Sequence, residues 1–369
     1  MTIALTVPLL TLTLERAGAD PFTIGLNSAA GGLGIFLVGP FIGPLASRFG
    51  AVACFRAMLA VCAACTLLFA LWVDPWYWFA VRLVYGCASA VMFVLNESAV
   101  NALVPDGQRG RVLGLYAALF TVGYAGGPLL LALAGTEGWL PFALAAALFA
   151  ASGLLTIPLR AAEDRLRLSA EGRRRYALTD IWRAAPLAMA TVLVYAFIEG
   201  SAFALMPVWA LASGFQASAA AALLGVFLSG NIVLQLPVGW LSDKLRRHHV
   251  IAGCCLVAAG GLLLLPVAID SAVALWPLLV LVGGTTGGLY TLALTLLGDR
   301  FRGADLTVAN TAFVMTFQLG MIAGPPAVGG VMRVAGEGSF PVALAPALVV
   351  LGAVVLVWRP VRVVSRQLR

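Results

Sequence analysis

Glu199 is a carboxylate in the middle of a long apolar run, PLAMATVLVYAFIEGSAFALMPVWALA, that begins at Pro186. In a helix rising about 1.5 Å per residue it lies about 20 Å beyond that proline. Thr191, Tyr195 and Glu199 stand at i, i+4 and i+8, a face spanning about 80°. A carboxyl group taken out of water binds and releases its proton closer to neutral pH, which suits it to proton coupling or to holding a cation. The second candidate is Arg82, in the apolar run PWYWFAVRLVYGCASAVMFVLNES. Tyr85, Ser89 and Asn96 fall within about 60° of it on one helical face. A guanidinium approaching Glu199 would favour the ionised carboxylate. The structural alternatives are a fixed Glu199–Arg82 ion pair, or a permanently protonated Glu199 hydrogen-bonded to a neighbouring helix. Weaker polar positions are Thr6, Asn231 with Gln235, Thr286 with Tyr290, and Thr311 with Gln318. Each pair shares a helical face and can either line a cavity or hydrogen-bond helix to helix. Glu97 lies near a helix end, where a salt bridge with Arg48 or another loop arginine is expected. His248 and His249 fall in a polar loop and are expected to be solvated.

A charge in such surroundings is expensive and by default marks a functional site, and the composition around it is that of a membrane protein. The chain has 62% hydrophobic and 11% charged residues and a mean hydropathy of +1.00, too apolar for a water-soluble protein of 369 residues. A spanning helix needs about 20 apolar residues, and unpaired backbone groups cannot face lipid. The long unbroken runs therefore read as helices and not as barrel strands, whose apolar residues would alternate. The expected class is an all-α membrane protein in a lipid bilayer. The net charge of +7 comes from loop arginines without interleaved aromatics, so no nucleic-acid partner is expected. The six cysteines lie in or beside apolar runs, and Cys62-x-x-Cys65 reads as helix packing with no metal. No cleavable leader is visible. There is no phosphate-binding G-x-x-x-x-G-K-[ST] loop, no G-x-S-x-G elbow and no H-E-x-x-H pair, so no enzyme, ATPase or cofactor is expected.

The apolar runs divide into twelve segments at about 1–14, 22–45, 52–73, 76–100, 111–135, 139–159, 186–211, 217–241, 249–269, 273–298, 306–334 and 340–358. The basic stretch 160–185 separates a bundle at 1–159 from one at 186–358, and 359–369 is a basic tail. Segment 1 has too few residues to cross a bilayer, so either the true start lies upstream or this helix is a stub. Of the 23 Lys and Arg, 20 fall on one side of this topology, Arg16 and Arg333 on the other, and Arg82 within a segment. Both termini are therefore expected in the cytoplasm. All nine tryptophans are expected at helix ends, in the membrane interface.

The halves repeat. Gly43-Pro-Leu45-Ala-Ser47-Arg48 reappears as Gly239-Trp-Leu241-Ser-Asp243-Lys244, and Phe120-x-x-Gly123-x-x-x-Gly127-Pro128 as Phe317-x-x-Gly320-x-x-x-Gly324-Pro325. Similar offsets in matching segments indicate a duplicated six-helix unit. Glycine at every fourth position lets backbones approach closely, and proline removes a donor, so segments 5 and 11 should pack tightly and bend. On these motifs, with Arg82-x-x-x-Gly86 in segment 4, the chain resembles the major facilitator superfamily over essentially its whole length. The G-x-x-x-G-P pattern resembles that of drug/proton antiporters, with Leu131-Ala132 in place of the trailing Gly-Gly. Ser47 replaces the acid of the first loop motif, while its second copy keeps Asp243, Lys244 and Arg247, with Arg246 in place of a glycine.

The resemblance implies two pseudo-symmetric bundles around a central cavity lined by segments 1, 4, 7 and 10, and so by Thr6, Arg82, Tyr85, Ser89, Tyr195, Glu199 and Tyr290. Asp243, with Arg48, Glu97, Lys244 and Arg247, is expected to act in gating. The N-terminal latch should be the weaker one because Ser47 carries no charge. The expected function is secondary transport of a small molecule by alternating access, as proton-coupled efflux from a bacterial inner membrane by a monomer. The alternatives are a sugar or metabolite facilitator or symporter, and a non-transporting sensor or scaffold.

Overall fold

Two Asp-Pro pairs show how the sequence starts its helices. Asp20 caps the helix that begins at Pro21, its Oδ1 accepting from the amides of Phe22 and Thr23 at 3.0 and 3.3 Å. Asp74 does the same ahead of Pro75, accepting from Trp76 and Tyr77 at 3.0 and 2.8 Å. Proline at the first helical position lacks only a donor that would have had no helical partner anyway. Gly50, at φ +89°, makes the sharp joint between the second and third helices.

The computed structural model describes residues 1–103, 109–156, 178–301 and 303–357. Its long helices are α1 (Thr2–Arg16), α2 (Pro21–Phe49), α3 (Ala51–Leu71), α4 (Pro75–Leu103), α5 (Arg109–Ala134) and α6 (Leu140–Leu155) in the first half. In the second half they are α7 (Pro186–Ala212), α8 (Ala217–Lys244), α9 (Arg247–Ala268), α10 (Ala272–Arg300), α11 (Gly303–Ala335) and α12 (Phe340–Val357). A seven-residue helix, Leu178–Ala184, precedes α7. Among the described residues, nine helices are long and apolar enough to cross a bilayer, while α1 and α6 have 15 and 16 residues. Most of the linker and the whole tail lie outside the described residues.

The duplication is visible in the packing. Helix α1 lies on α5, α2 on α4, and α3 on both α4 and α6; six helices later, α7 lies on α11, α8 on α10, and α9 on both α10 and α12. The halves meet through α2 against α11 and α5 against α8, which are symmetry-related contacts, and through α7 against α1 and α2. The Gly-x-x-x-Gly-Pro motifs occupy equivalent places. A Cβ on Gly127 would meet the backbone of Met1, Ala4 and Leu5 in α1, and one on Gly324 would meet the Phe197 carbonyl and Ser201 of α7. Gly123 faces Met1 and Gly320 faces Leu193 and Phe197, so the motifs bind each helix to the first helix of its own half.

The halves touch at one end and part at the other. Near the start of α2, Gly25 abuts the Pro325 carbonyl, and Gly329 abuts that of Pro21. Gly225 of α8 lies against Leu129 of α5. Towards the other end, Gly39 and Gly43 of α2 and Gly239 of α8 have open space where a Cβ would go. The molecule is therefore closed at the end carrying Asp20 and Arg333 and splayed at the end carrying Arg48 and Lys244. The tryptophans divide differently from the sequence expectation. Trp72, Trp76, Trp139 and Trp240 are exposed, whereas Trp78 and Trp209 are fully enclosed, Trp78 against Phe69 and Phe142 and Trp209 against Phe340.

A side chain at position 25 has nowhere to go, because its neighbour is backbone. Gly25→Val is expected to weaken closure by about 1–3 kcal/mol. A cysteine placed at Ile322, which packs against Gly32 in the same seam, should then react faster with a membrane-impermeant maleimide. Unchanged labelling would mean that the seam does not hold the closed end.

Candidate functional site

Glu199 lies where α7 meets both α11 and the first half. Gly200 abuts the Met321 backbone, and Gly324 abuts Phe197, so α11 is pressed along α7 on either side of the carboxylate. Glu199 is only 5% exposed. Two tyrosine hydroxyls lie beside its carboxylate: Tyr195, one turn earlier on α7, and Tyr124, from α5 of the opposite half. The Tyr124 ring is held 4.9 Å from Phe203 and 5.8 Å from Phe120. Tyr195 lies 5.5 Å from Tyr290 and 5.9 Å from Phe317, and Tyr290 itself is 36% exposed. One aromatic layer thus stands between the carboxylate and an accessible ring. In this conformation Glu199 is enclosed, facing neither lipid nor open water.

Arg82 does not pair with Glu199. Among the described residues, the ion pairs join Arg16 to Glu137, Arg247 to Asp299 and Arg333 to Asp20. Arg82 is 3% exposed, and its Nη1 donates to Asn27 Oδ1 at 3.0 Å. Asn27 is fixed in turn by its Nδ2, which donates to the Pro75 carbonyl at 3.0 Å. The backbones of Gly31 and Gly86 meet beside this group and draw α2 onto α4. The expectation that Arg82 and Glu199 look at each other is therefore corrected for this state: each has neutral neighbours, and the hydrogen-bond partner of Arg82 lies within its own half.

Several expected cavity positions are packed instead. Thr6 is fully buried and donates to the Thr2 carbonyl, Thr286 donates to the Val282 carbonyl, and Tyr85 is 5% exposed beneath Phe69 and Phe149. Their hydroxyls lie on polar helical faces, but those faces are closed by neighbouring helices. Asn231 fits against the bare Cα of Gly287 on α10. Ser89 donates to the Gly86 carbonyl at 3.1 Å. Gln235, Tyr290 and Thr311 are exposed and Gln318 is half-buried. At the splayed end, Asp243 is exposed and in no ion pair among the described residues. Lys244 lies over the Trp240 ring at 3.8 Å and Arg48 over Phe49 at 5.2 Å. Arg247 pairs with Asp299 and donates to the Thr295 carbonyl, all within the second half. The Glu97 side chain lies outside the described residues. The histidine rings of His248 and His249 are 4.2 Å apart on the first turn of α9.

Asn27 and Tyr124 are the neighbours of the two candidate residues that sequence reasoning missed. Asn27 was signalled by being a lone amide in a Gly-rich apolar segment, and Tyr124 by following Gly123 in the Gly-x-x-x-Gly motif. The polar contacts at the closed end were missed as well. Arg333 of α11 reaches Asp20 across the halves at 3.9 Å, and Arg16 donates to the Thr136 carbonyl and hydroxyl at 2.5 and 2.6 Å. Burial alone would raise the pKa of Asp20, but hydrogen bonds from Thr23 and Phe22 and the nearby Arg333 outweigh it, leaving Asp20 below the usual carboxylate range.

A Major Facilitator Superfamily model matches residues 1–229 and 212–368. The chain is 26% identical over 345 residues to the MFS-type transporter YfkF of Bacillus subtilis (strain 168), covering 89% of this chain and 84% of that protein. It is also 26% identical over 329 residues to the MFS-type transporter YcaD of Escherichia fergusonii, covering 88% and 84%. Among solved structures, the nucleoside transporter NupG superposes with a TM-score of 0.75 at 15% identity, over 96% of this chain and 98% of that one. A bacterial homologue of the human lysosomal transporter Spinster, in an inward-facing and occupied conformation, does so with a TM-score of 0.73 at 14% identity, over 98% and 97%.

Because the Asp20 pKa is lowered by folding, its contribution is present above the ordinary aspartate range near pH 4 and is lost as pH falls through the lowered value. Thermal unfolding should show Asp20→Ala destabilised by about 1 kcal/mol from loss of the helix cap. Asp20→Asn keeps an acceptor and should lose less, and both differences should shrink below about pH 3. Equal losses for the two variants at neutral pH would show that the cap is not what Asp20 provides.

Proposed function

The chain belongs to the major facilitator superfamily, and from that premise we propose that it is a proton-coupled secondary transporter that exports small amphipathic or cationic molecules by alternating access. The basic ends of α2 and α8 then face the cytoplasm, both termini lie there, and the membrane is the inner membrane of a bacterium. The described conformation is inward-facing on this reading. The observation that carries the proposal is the buried Glu199 carboxylate, flanked by tyrosines from both halves.

An ionised Glu199 accepts strong hydrogen bonds from Tyr124 and Tyr195, each worth about 1.5–3 kcal/mol. The bond to Tyr124 ties the second half to the first and holds the periplasmic end shut. A proton on Glu199, or a cation entering beside it, cancels the charge that Tyr124 is holding. The halves can then rock, so the empty and deprotonated carrier stays locked while a loaded or protonated one turns over. This is the logic of exchange: proton and cargo release the same lock, one at a time. The exposed ring of Tyr290, backed by Tyr195, Phe313 and Phe317, gives an organic cation an aromatic face to rest on.

A second reading is uptake of a neutral metabolite. It draws on the shared fold with the nucleoside transporter and on the same aromatic rings, which could stack a base. Transport assays in inside-out vesicles separate the two, with fluorescent organic cations and uridine as cargo, with and without a pH gradient. We expect gradient-driven uptake of a cation by the wild type, and loss of the gradient dependence in Glu199→Gln with folding retained. Cation transport that keeps its full gradient dependence in Glu199→Gln would contradict the proposal, and uridine transport alone would favour the second reading.

A further inference from the structure

Arg82 has no role in the lock just described, and its surroundings are unusual for a cation inside a membrane protein. It is 3% exposed, and no acidic side chain among the described residues lies within ion-pair distance. Its hydrogen-bond partner is the neutral Asn27. A buried charge held by neutral dipoles alone is costly and is a functional mark by default. One turn along the same helix, the Tyr85 hydroxyl is also buried and has no hydrogen-bond partner among the described residues. Thr6 lies beside it but donates to its own helix, at the Thr2 carbonyl. The rings of Phe69 and Phe149 pack edge-on to Tyr85, and the Gly31–Gly86 contact closes the other side. The group therefore offers two donors, a guanidinium and a phenol, with no acceptor of matching charge.

We propose that Arg82 and Tyr85 form an anion-binding site, taking one negatively charged group between the guanidinium and the phenol while Asn27 holds the arginine in place. The shared chemistry is a single negative charge with lone pairs to accept both donors. It comes either as the carboxylate of an organic ligand or as a halide from the medium. The site lies in the half of α4 next to the closed end, beside the part of α2 that is clamped on α11, so opening of that end is the step that would admit the anion. The inference rests on the transport reading for its purpose but not on Glu199, so either can fail alone.

The test is thermal unfolding of the purified protein in detergent, titrated at constant ionic strength with sodium chloride or sodium benzoate against sodium sulfate. Saturating anion should raise the wild-type midpoint by about 3 °C or more over sulfate. A response to chloride identifies the halide as a ligand, and a response to benzoate alone identifies the carboxylate. Arg82→Gln should abolish the response and Arg82→Lys should reduce it. Tyr85→Phe guards against an unfolded arginine variant, because it removes only an unpartnered hydroxyl. It should fold at least as stably as wild type without anion and weaken the apparent anion affinity by about tenfold. No response of the wild type to either anion, or full responses in the arginine variants and in Tyr85→Phe, would overturn the site.

Discussion

The proposed mechanism rests on one hydrogen bond between the halves, from the Tyr124 hydroxyl of α5 to an ionised Glu199 of α7, two groups that lie side by side in a buried seam. In water such a bond would be exchanged for equally good ones. In a buried seam an ionised acid has few donors to turn to, so on the proposed mechanism its charge decides whether the halves hold together. The rest of the molecule presents that bond. Glycines of α11 bring that helix against α7, aromatic rings pack on both tyrosines, and α2 meets α11 at the closed end.

Duplication supplies the geometry and divergence supplies the direction. Contacts six helices apart recur, and the glycine-proline motif performs the same task on α1 and on α7. Two copies of one unit, packed so that α2 meets α11 and α5 meets α8, can close at either end with little change inside each half. The copies are unequal where charge is concerned. Ser47 stands where the second half has Asp243, Arg82 is held by an amide within the first half, and the acid lies in the second. The proposed lock is asymmetric because its donor and acceptor come from different copies.

Much of this was legible in the sequence. Segment positions, the repeat and the packing role of Gly127 and Gly324 all follow from hydropathy and spacing, and Glu199 drew notice through the cost of a charge in lipid. Helical periodicity gives the direction in which a side chain points along its own helix. It says nothing about which of several neighbours will stand opposite. For that reason Tyr195, one turn from Glu199, could be placed with it, while Tyr124, 75 positions away, could not. The same limit explains why Arg82 was matched to Glu199 and proved to belong with Asn27, and why Thr6 and Tyr85 read as cavity wall when their faces are covered by other helices. Trp78 and Trp209 read as interface anchors because they lie near helix ends, but the rings turn inward against Phe142 and Phe340.

The proposed mechanism stands or falls on whether the charge of Glu199 sets which end is open. Spin labels at Ser47→Cys and Leu245→Cys, on the exposed basic ends of α2 and α8, report the separation of the splayed end by electron–electron double resonance in a background without native cysteines. With Glu199 ionised, the distribution should be dominated by the long distance. Acidification, or Glu199→Gln at any pH, should add a population at shorter distance as the basic ends come together. Distributions that are the same at high and low pH and in Glu199→Gln would contradict it.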